Sequence, residues 1–191
     1  MTALKLQNAA LMRFAVQGFN ATTMNEIASD VGIKKASIYA HFSSKDDLFL
    51  SLLPILMEEE YQYIQTMISG GDQIESQLLA YLTNINIRFE ESYHMRFWLR
   101  ILFAPPVHLH DEVVALMRQL MDDIELWIEA AIAASPLANS SRNLDVKTLT
   151  SSYVAMIDSL HTELLFAGPE KYQTRLTAVW RLFETAIKSI E

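Results

Sequence analysis

Residues 22–48 read TTMNEIASDVGIKKASIYAHFSSKDDL, and they decide the fold class. Thr23-Met24-Asn25-Glu26 has the Ser/Thr-x-x-Glu form of a capping box. The Thr23 hydroxyl accepts the Glu26 amide while the Glu26 carboxylate reaches back to Thr23, which predicts a helix from there to about Val31. Gly32 supplies a tight turn and Ile33 a buried spacer. Lys35 to Phe42 reads as a third short helix with Ile38 and Phe42 inward. Ser43 or Ser44 then caps a fourth, with Asp46 and Asp47 in its electropositive first turn. Two short helices around a glycine-containing turn, the second opening on exposed polar groups, is the sequence form of a DNA-binding helix-turn-helix.

The residue types fit that geometry. Ala28 is small where the second helix must approach closely, Val31 and Ile33 plug the turn, and Ile38 completes the buried triangle. Lys35, Ala36, Ser37 and Tyr39 are left pointing outward. An extended ammonium, a small hydroxyl and a phenol suit phosphate oxygens and base edges, and Ala36 permits close approach or touches a thymine methyl. Lys45, beside a helix start, suits another phosphate. The plainer alternative is a solvated helix pair without a ligand.

Outward from this stretch the chain reads as all-helical. Its five glycines and five prolines fall almost entirely where helical periodicity breaks. Leu4, Leu11, Phe14 and Ala15 form the apolar face of a first helix that ends near Gln17, with Gly18 as its left-handed cap. The fourth helix is expected to run from about Lys45 to Ile68 with a kink at Pro54, and to stop at Gly70-Gly71. Later helices are expected at about 73–93, 94–103, 111–134, 145–166 and 170–190.

With 191 residues and 51% hydrophobic content, the chain can bury a substantial core. The longest nearly apolar run, Leu48 to Met57, is too short to cross a bilayer. The start lacks a basic-then-apolar leader pattern, so a cytoplasmic location without membrane contact is expected. The absence of cysteine removes disulfides, thiolate zinc sites and cysteine nucleophiles. Net charge is −8, which argues against nucleic-acid binding by the whole surface. Residues 1–48 carry five basic groups against four acidic ones, so they are near +1 and the remainder is near −9.

The segment FAVQGFNATTMNEIASDVGIKKASIYAHFSSKDDL resembles the N-terminal domain of TetR-family transcriptional regulators. The likeness is carried by Gly18-Phe19, Thr22-Thr23, Ile27-Ala28, Val31-Gly32-Ile33, Ser37-Ile38-Tyr39, His41-Phe42, Ser44-Lys45 and Asp47-Leu48. It is strong over about residues 8–50; beyond that, only length and helical layout suit the family's nine-helix plan. The resemblance implies a homodimer whose heads, residues 1–50, bind a palindromic operator. The body, residues 51–191, would dimerise and sense a small-molecule inducer, most simply in a repressor released from DNA by ligand. Carried over by position, Thr23, Lys35, Ser37, Tyr39, His41 and Lys45 would contact DNA, with Lys35 and Tyr39 foremost. His41 could instead be structural, packed on helix one. The chain departs from the family at Arg13, where leucine is common, at Ala36, where glycine is common, and in its short arm before helix one, which weighs against minor-groove contacts.

In the body, Tyr153, Met156, Ile157, Leu160 and Leu164, then Val179, Phe183 and Ile187, recur at helical spacing. They are expected to form the four-helix dimer interface the resemblance implies, the alternative being packing within one subunit. Tyr61, Phe89, Tyr93, Phe97, Trp98, Phe103, Met117, Trp127 and Phe166 are individually read as core. As a set, with Glu163, they could line a pocket for a bulky apolar or cationic ligand. Glu91-x-x-His94 and Asp158-x-x-His161 have the spacing of a di-iron carboxylate bundle enzyme, the one rival function. Asp158 and His161 fall in the dimer stripe, and no further inward carboxylates are evident. His108-Leu109-His110-Asp111 is a weaker metal candidate. No serine–histidine–acid or phosphate-loop pattern occurs, so neither enzyme activity nor a cofactor is expected.

Overall fold

The computed structural model describes residues 2–140 and 144–188, and among these every regular element is helical. In chain order they are α1 (Thr2–Ala21), α2 (Met24–Val31), α3 (Lys35–Ile38), α4 (Lys45–Leu50), α5 (Leu53–Met67), α6 (Ile74–Glu91), α7 (Tyr93–Phe103), a single 3-10 turn (Val107–Leu109), α8 (His110–Ala133), α9 (Leu137–Ser140), α10 (Val146–Phe166) and α11 (Pro169–Lys188). With α4 and α5 taken as one interrupted helix and the one-turn α9 set aside, the described residues hold the expected nine. Ile190, the expected end of the last helix, lies outside the described residues.

The structure departs from the sequence reading in α1, which runs on to Ala21, in the third and fourth helices, and in α9, which forms between the helices expected at 111–134 and 145–166. The third helix ends at Ile38, four residues early. From there the amides of Ala40 and His41 bond three residues back, to Ser37 and Ile38 carbonyls, in a tight turn. The fourth helix is interrupted at Ser51-Leu52, because Pro54 has no N–H for the Leu50 carbonyl and its ring would press on that turn. Pro54 therefore sits in the first turn of α5 and does not bend one continuous helix. Leu4, expected on the apolar face of α1, is 57% exposed.

The chain divides into two compact units, residues 1–60 with 91–119 and residues 61–90 with 120–191. In the first unit, Leu6, Ala10, Leu11, Phe14 and Ala15 form the buried stripe of α1, and α7 is its most extensive partner. Four rings join these helices. Phe14 meets Phe97 of α7 at 6.1 Å between centroids, Phe49 of α4 at 5.5 Å and Phe19 at 5.7 Å. Phe49 meets Phe97 edge-on at 5.5 Å. Such pairs each contribute about 0.5–1.5 kcal/mol beyond their burial.

The backbone breaks at Gly18, with φ 83° and ψ 169°, and a further turn carries Phe19 to Ala21. Thr22 closes the break, its buried Oγ1 donating to the Gly18 carbonyl at 2.8 Å. A Cβ on Gly18 would stand 3.0 Å from the Arg100 guanidinium, which itself donates to the Val16 carbonyl at 3.3 Å.

In the second unit α10 and α11 pack closely together, and both are tied to α6. Tyr153 donates its hydroxyl to the Leu78 carbonyl at 2.8 Å, and Tyr172 donates to the Leu82 carbonyl. Burial pushes both phenols above their ordinary pKa. The stripe expected to meet a second subunit is largely used inside the chain. Tyr153, Met156, Ile157, Leu160 and Leu164 on α10 and Phe183 and Ile187 on α11 are buried within the monomer, and Val179 alone of the set is part-exposed. Helical periodicity marks an apolar face without saying which neighbour covers it.

Replacing Gly18 with Ala is expected to destabilise the protein by about 1–3 kcal/mol, since a Cβ at positive φ is strained and must also displace Arg100. A lower midpoint in urea unfolding with an unchanged m-value is the measurement; an unchanged midpoint contradicts this account of the break.

A candidate nucleic-acid interface

The head is fixed from its caps upward. Thr23 Oγ1 accepts the Glu26 amide at 3.2 Å, and Glu26 Oε2 accepts the Thr23 amide and hydroxyl, each at 2.8 Å. The predicted capping box is thus present, and these hydrogen bonds, chiefly from Thr23, hold the Glu26 carboxyl below its usual pKa. At the other end of α2, Gly32 takes φ 75°, and the Ile33 amide bonds the Ala28 carbonyl at 2.9 Å. Ile27, Ala28 and Ile38 are buried beneath the turn. Ser44 caps α4 by accepting the Asp47 amide at 3.0 Å, and the Asp47 carboxylate accepts the Ser43 amide at 2.8 Å.

This packing leaves Lys35, Ala36, Ser37 and Tyr39 exposed around α3, with Tyr39 at 47%. His41 is exposed as well, so nothing packs it against α1 as a structural histidine. Thr23 is exposed, but its one hydroxyl proton is directed to Glu26. Lys34, exposed at the N-cap of α3, doubles the positive charge there; the adjacent lysines in the sequence were the signal for it.

Lys45 is placed differently from an outward phosphate ligand. Its ammonium lies over the Phe19 ring, 4.1 Å from the centroid, and donates to the Phe19 and Thr22 carbonyls at 2.7 and 2.9 Å. It binds the start of α4 to the end of α1, and partial burial lowers its pKa. His108 Nε2 lies 3.1 Å from Asp46, and its ring lies 5.4 Å from that of Phe19. Arg13 crosses from α1 to α2, where it pairs with Glu26 at 2.9 Å and with Asp30 through two nitrogens. The Asp30 carboxyl is held below its usual pKa by hydrogen bonding to Arg13. Sequence reasoning missed this clamp; the signal was the i, i+4 pair of carboxylates on α2 opposite a lone arginine on α1.

The residues expected to line a ligand pocket fall into both units. In the first, Phe97 belongs to the ring cluster, Trp98 and Met117 are buried, and Tyr93 and Phe103 are exposed. In the second, Tyr61 packs edge-on to Trp127 at 6.4 Å, and Trp127 Nε1 donates to the Ile68 carbonyl at 2.7 Å. Phe89 is part-buried and Phe166 is 78% exposed. Glu163 pairs with Arg175 on α11, so its carboxylate is already neutralised by a side chain.

The di-iron ligand set does not assemble. His94 Nδ1 lies 2.6 Å from Glu59, Glu91 is exposed, and among the described residues no three His, Asp or Glu side chains gather as a metal site. His108 and His110 face Asp46 and Asp111 as separate pairs. No helix among the described residues is long and apolar enough to cross a membrane.

Comparison with known proteins agrees with the geometry of the head. The sequence model of the bacterial regulatory proteins, tetR family, matches residues 6–52. The negative regulator IcaR of the biofilm operon icaADBC, from Staphylococcus aureus, is 42% identical over 45 residues, 24% of this chain and 24% of IcaR. The aligned stretch spans only 16–27% of the length of the curated relatives that match first. The whole fold extends the likeness. A transcriptional regulator of the TetR family from Agrobacterium tumefaciens superimposes with a TM-score of 0.70 at 21% identity, covering 97% of both chains. A chain from Saccharomonospora viridis, solved in complex with choline, gives 0.73 at 19% identity, covering 95% of both.

Lys45→Met is expected to destabilise the fold by about 1–3 kcal/mol, because two carbonyls lose a charged donor while the apolar stem is kept. Urea unfolding checks this: a midpoint equal to the wild type would mean that the inward ammonium contributes nothing to stability.

Proposed function

We propose, from a head that matches the sequence model of the bacterial regulatory proteins, tetR family, that this protein is a one-component transcriptional repressor. It binds a palindromic operator as a homodimer and is released by a small ligand. The observation that carries this reading is the surface of α3. Lys34, Lys35, Ala36, Ser37 and Tyr39 are exposed together on a short helix held from beneath by Ile27, Ala28 and Ile38. In this reading α3 enters the major groove, Lys35 and Tyr39 reach base edges or phosphates, and Ser37, His41 and Thr23 flank them. The Thr23 hydroxyl would have to turn from Glu26 to donate to a phosphate. Lys45 acts chiefly by holding α4, leaving one ammonium proton for DNA. Repression is supported by the likeness of the head to IcaR, a negative regulator.

Two heads of this size would read half-sites one helical turn apart, about 34–36 Å, which requires a dimer. The outer faces of α10 and α11 are available for it, since Phe166 is 78% and Leu182 73% exposed while the inner stripe packs within the monomer. The ligand we propose is small and hydrophobic or cationic. Choline, bound by the fold-alike from Saccharomonospora viridis, is of the cationic class, and paired rings such as Tyr61 and Trp127 suit it. Because Arg175 already neutralises Glu163, the rings are the better candidates for receiving a cation. Release requires the ligand to distinguish two states by the 1–3 kcal/mol or so typical of such coupling. A cytoplasmic site of action follows from this role.

The test selects sites from a random DNA pool and titrates them by fluorescence anisotropy over a salt series. The wild type is expected to bind a palindrome at nanomolar concentration with a steep salt slope. Tyr39→Ala and Lys35→Ala should each weaken binding by about 1–3 kcal/mol, and the lysine variant should also lose about one unit of slope. Failure to enrich any site, or enrichment unaffected by both substitutions, would refute the assignment of α3 as the reading surface.

A further inference from the structure

We infer that Arg13 is a positioning residue of the DNA interface: it acts through the two carboxylates it neutralises on α2, without touching DNA. This rests on the regulator reading above, and it starts from charge. The helix that leads into α3 carries Glu26 and Asp30 one turn apart, a poor neighbour for a phosphate backbone. Glu26 Oε2 is 2.8 Å from the hydroxyl of Thr23, a proposed contact, so its charge lies about two hydrogen-bond lengths from any phosphate bound there. Arg13 meets both acids from α1. One terminal nitrogen reaches Glu26 Oε1 at 2.9 Å, while Nε and the other terminal nitrogen grip both oxygens of Asp30, the latter at 2.9 Å.

The division of labour within Glu26 is what makes this more than a surface ion pair. One carboxylate oxygen caps α2 through Thr23 and the other is held by Arg13, so the guanidinium fixes the rotamer that maintains the cap. Through Asp30, near the other end of α2, the same group fixes the angle of the helix on α1. A planar fork with several donors can grip two carboxylates at once, which a lysine ammonium cannot do with the same geometry. All the donors of Arg13 that have partners among the described residues point to these acids.

A double-mutant cycle tests this with the full-length protein and its selected DNA. Arg13→Leu is made in the wild type and in a Glu26→Gln/Asp30→Asn background, where glutamine keeps the capping box. In the wild type the substitution is expected to raise Kd about five- to tenfold, the equivalent of one to two exposed ion pairs. In the neutral background it should raise Kd less than about twofold, with the salt slope unchanged in both. Equal losses in the two backgrounds, with a slope reduced by about 0.9, would show that Arg13 contacts a phosphate itself and would overturn the inference. No loss in either background would overturn it too. Where Arg13→Leu fails to fold, Arg13→Lys is taken round the same cycle, with an intermediate loss expected only in the acidic background and the same overturning outcomes. If the wild type selects no DNA at all, the regulator reading fails first and the inference goes with it.

Discussion

The head stays in register because four phenylalanine rings and one lysine meet at the Gly18 break in α1. Phe14 and Phe19 come from α1 on either side of the break, Phe49 from α4 and Phe97 from α7, and each touches at least one other edge-on or stacked. Against the Phe19 ring lies the Lys45 ammonium, whose hydrogen bonds to two backbone carbonyls bind α4 to the same corner. A corner of this kind cannot slide: ring packing is short-ranged, and the ammonium gives both carbonyls a charged donor. The positions of α2 and α3, and so of the side chains exposed around α3, follow from it.

Electrostatics then sort the cations of the head into two kinds. Arg13 and Lys45 are spent on internal partners, which makes them parts of the scaffold. Lys34 and Lys35 are exposed at the start of α3, where in the proposed complex they would release counterions from a phosphate backbone. A net charge near −9 over the remainder of the chain disfavours DNA elsewhere on the surface. An acidic protein can thus present one small basic surface without general affinity for nucleic acid.

In the second unit the same economy applies to apolar groups. Tyr153 and Tyr172 place their hydroxyls on α6 carbonyls, so these large rings are buried without an unsatisfied polar atom. The stripes of α10 and α11 are largely taken up in holding the monomer together, and among the described residues of these helices the large apolar side chains left exposed are Phe166 and Leu182.

Wherever the determinant was local, the amino-acid sequence was enough. The Thr23-Glu26 capping box, the left-handed turn at Gly32 and the Ser44 cap all stand where their residue types put them, because each depends on atoms a few positions apart; Gly18 interrupts α1 where expected, but with an extended ψ of 169° and not as a left-handed cap. The all-helical class and the exposure of Lys35, Ser37 and Tyr39 were legible for the same reason. Partner choice was not. Whether Lys45 points to solvent or to Phe19, whether Glu163 faces a ligand or Arg175, and whether Tyr153 packs on another subunit or on α6 depend on which distant surface arrives opposite. A 3.6-residue period gives the direction of a side chain around its own helix; only the tertiary structure supplies what stands there to meet it.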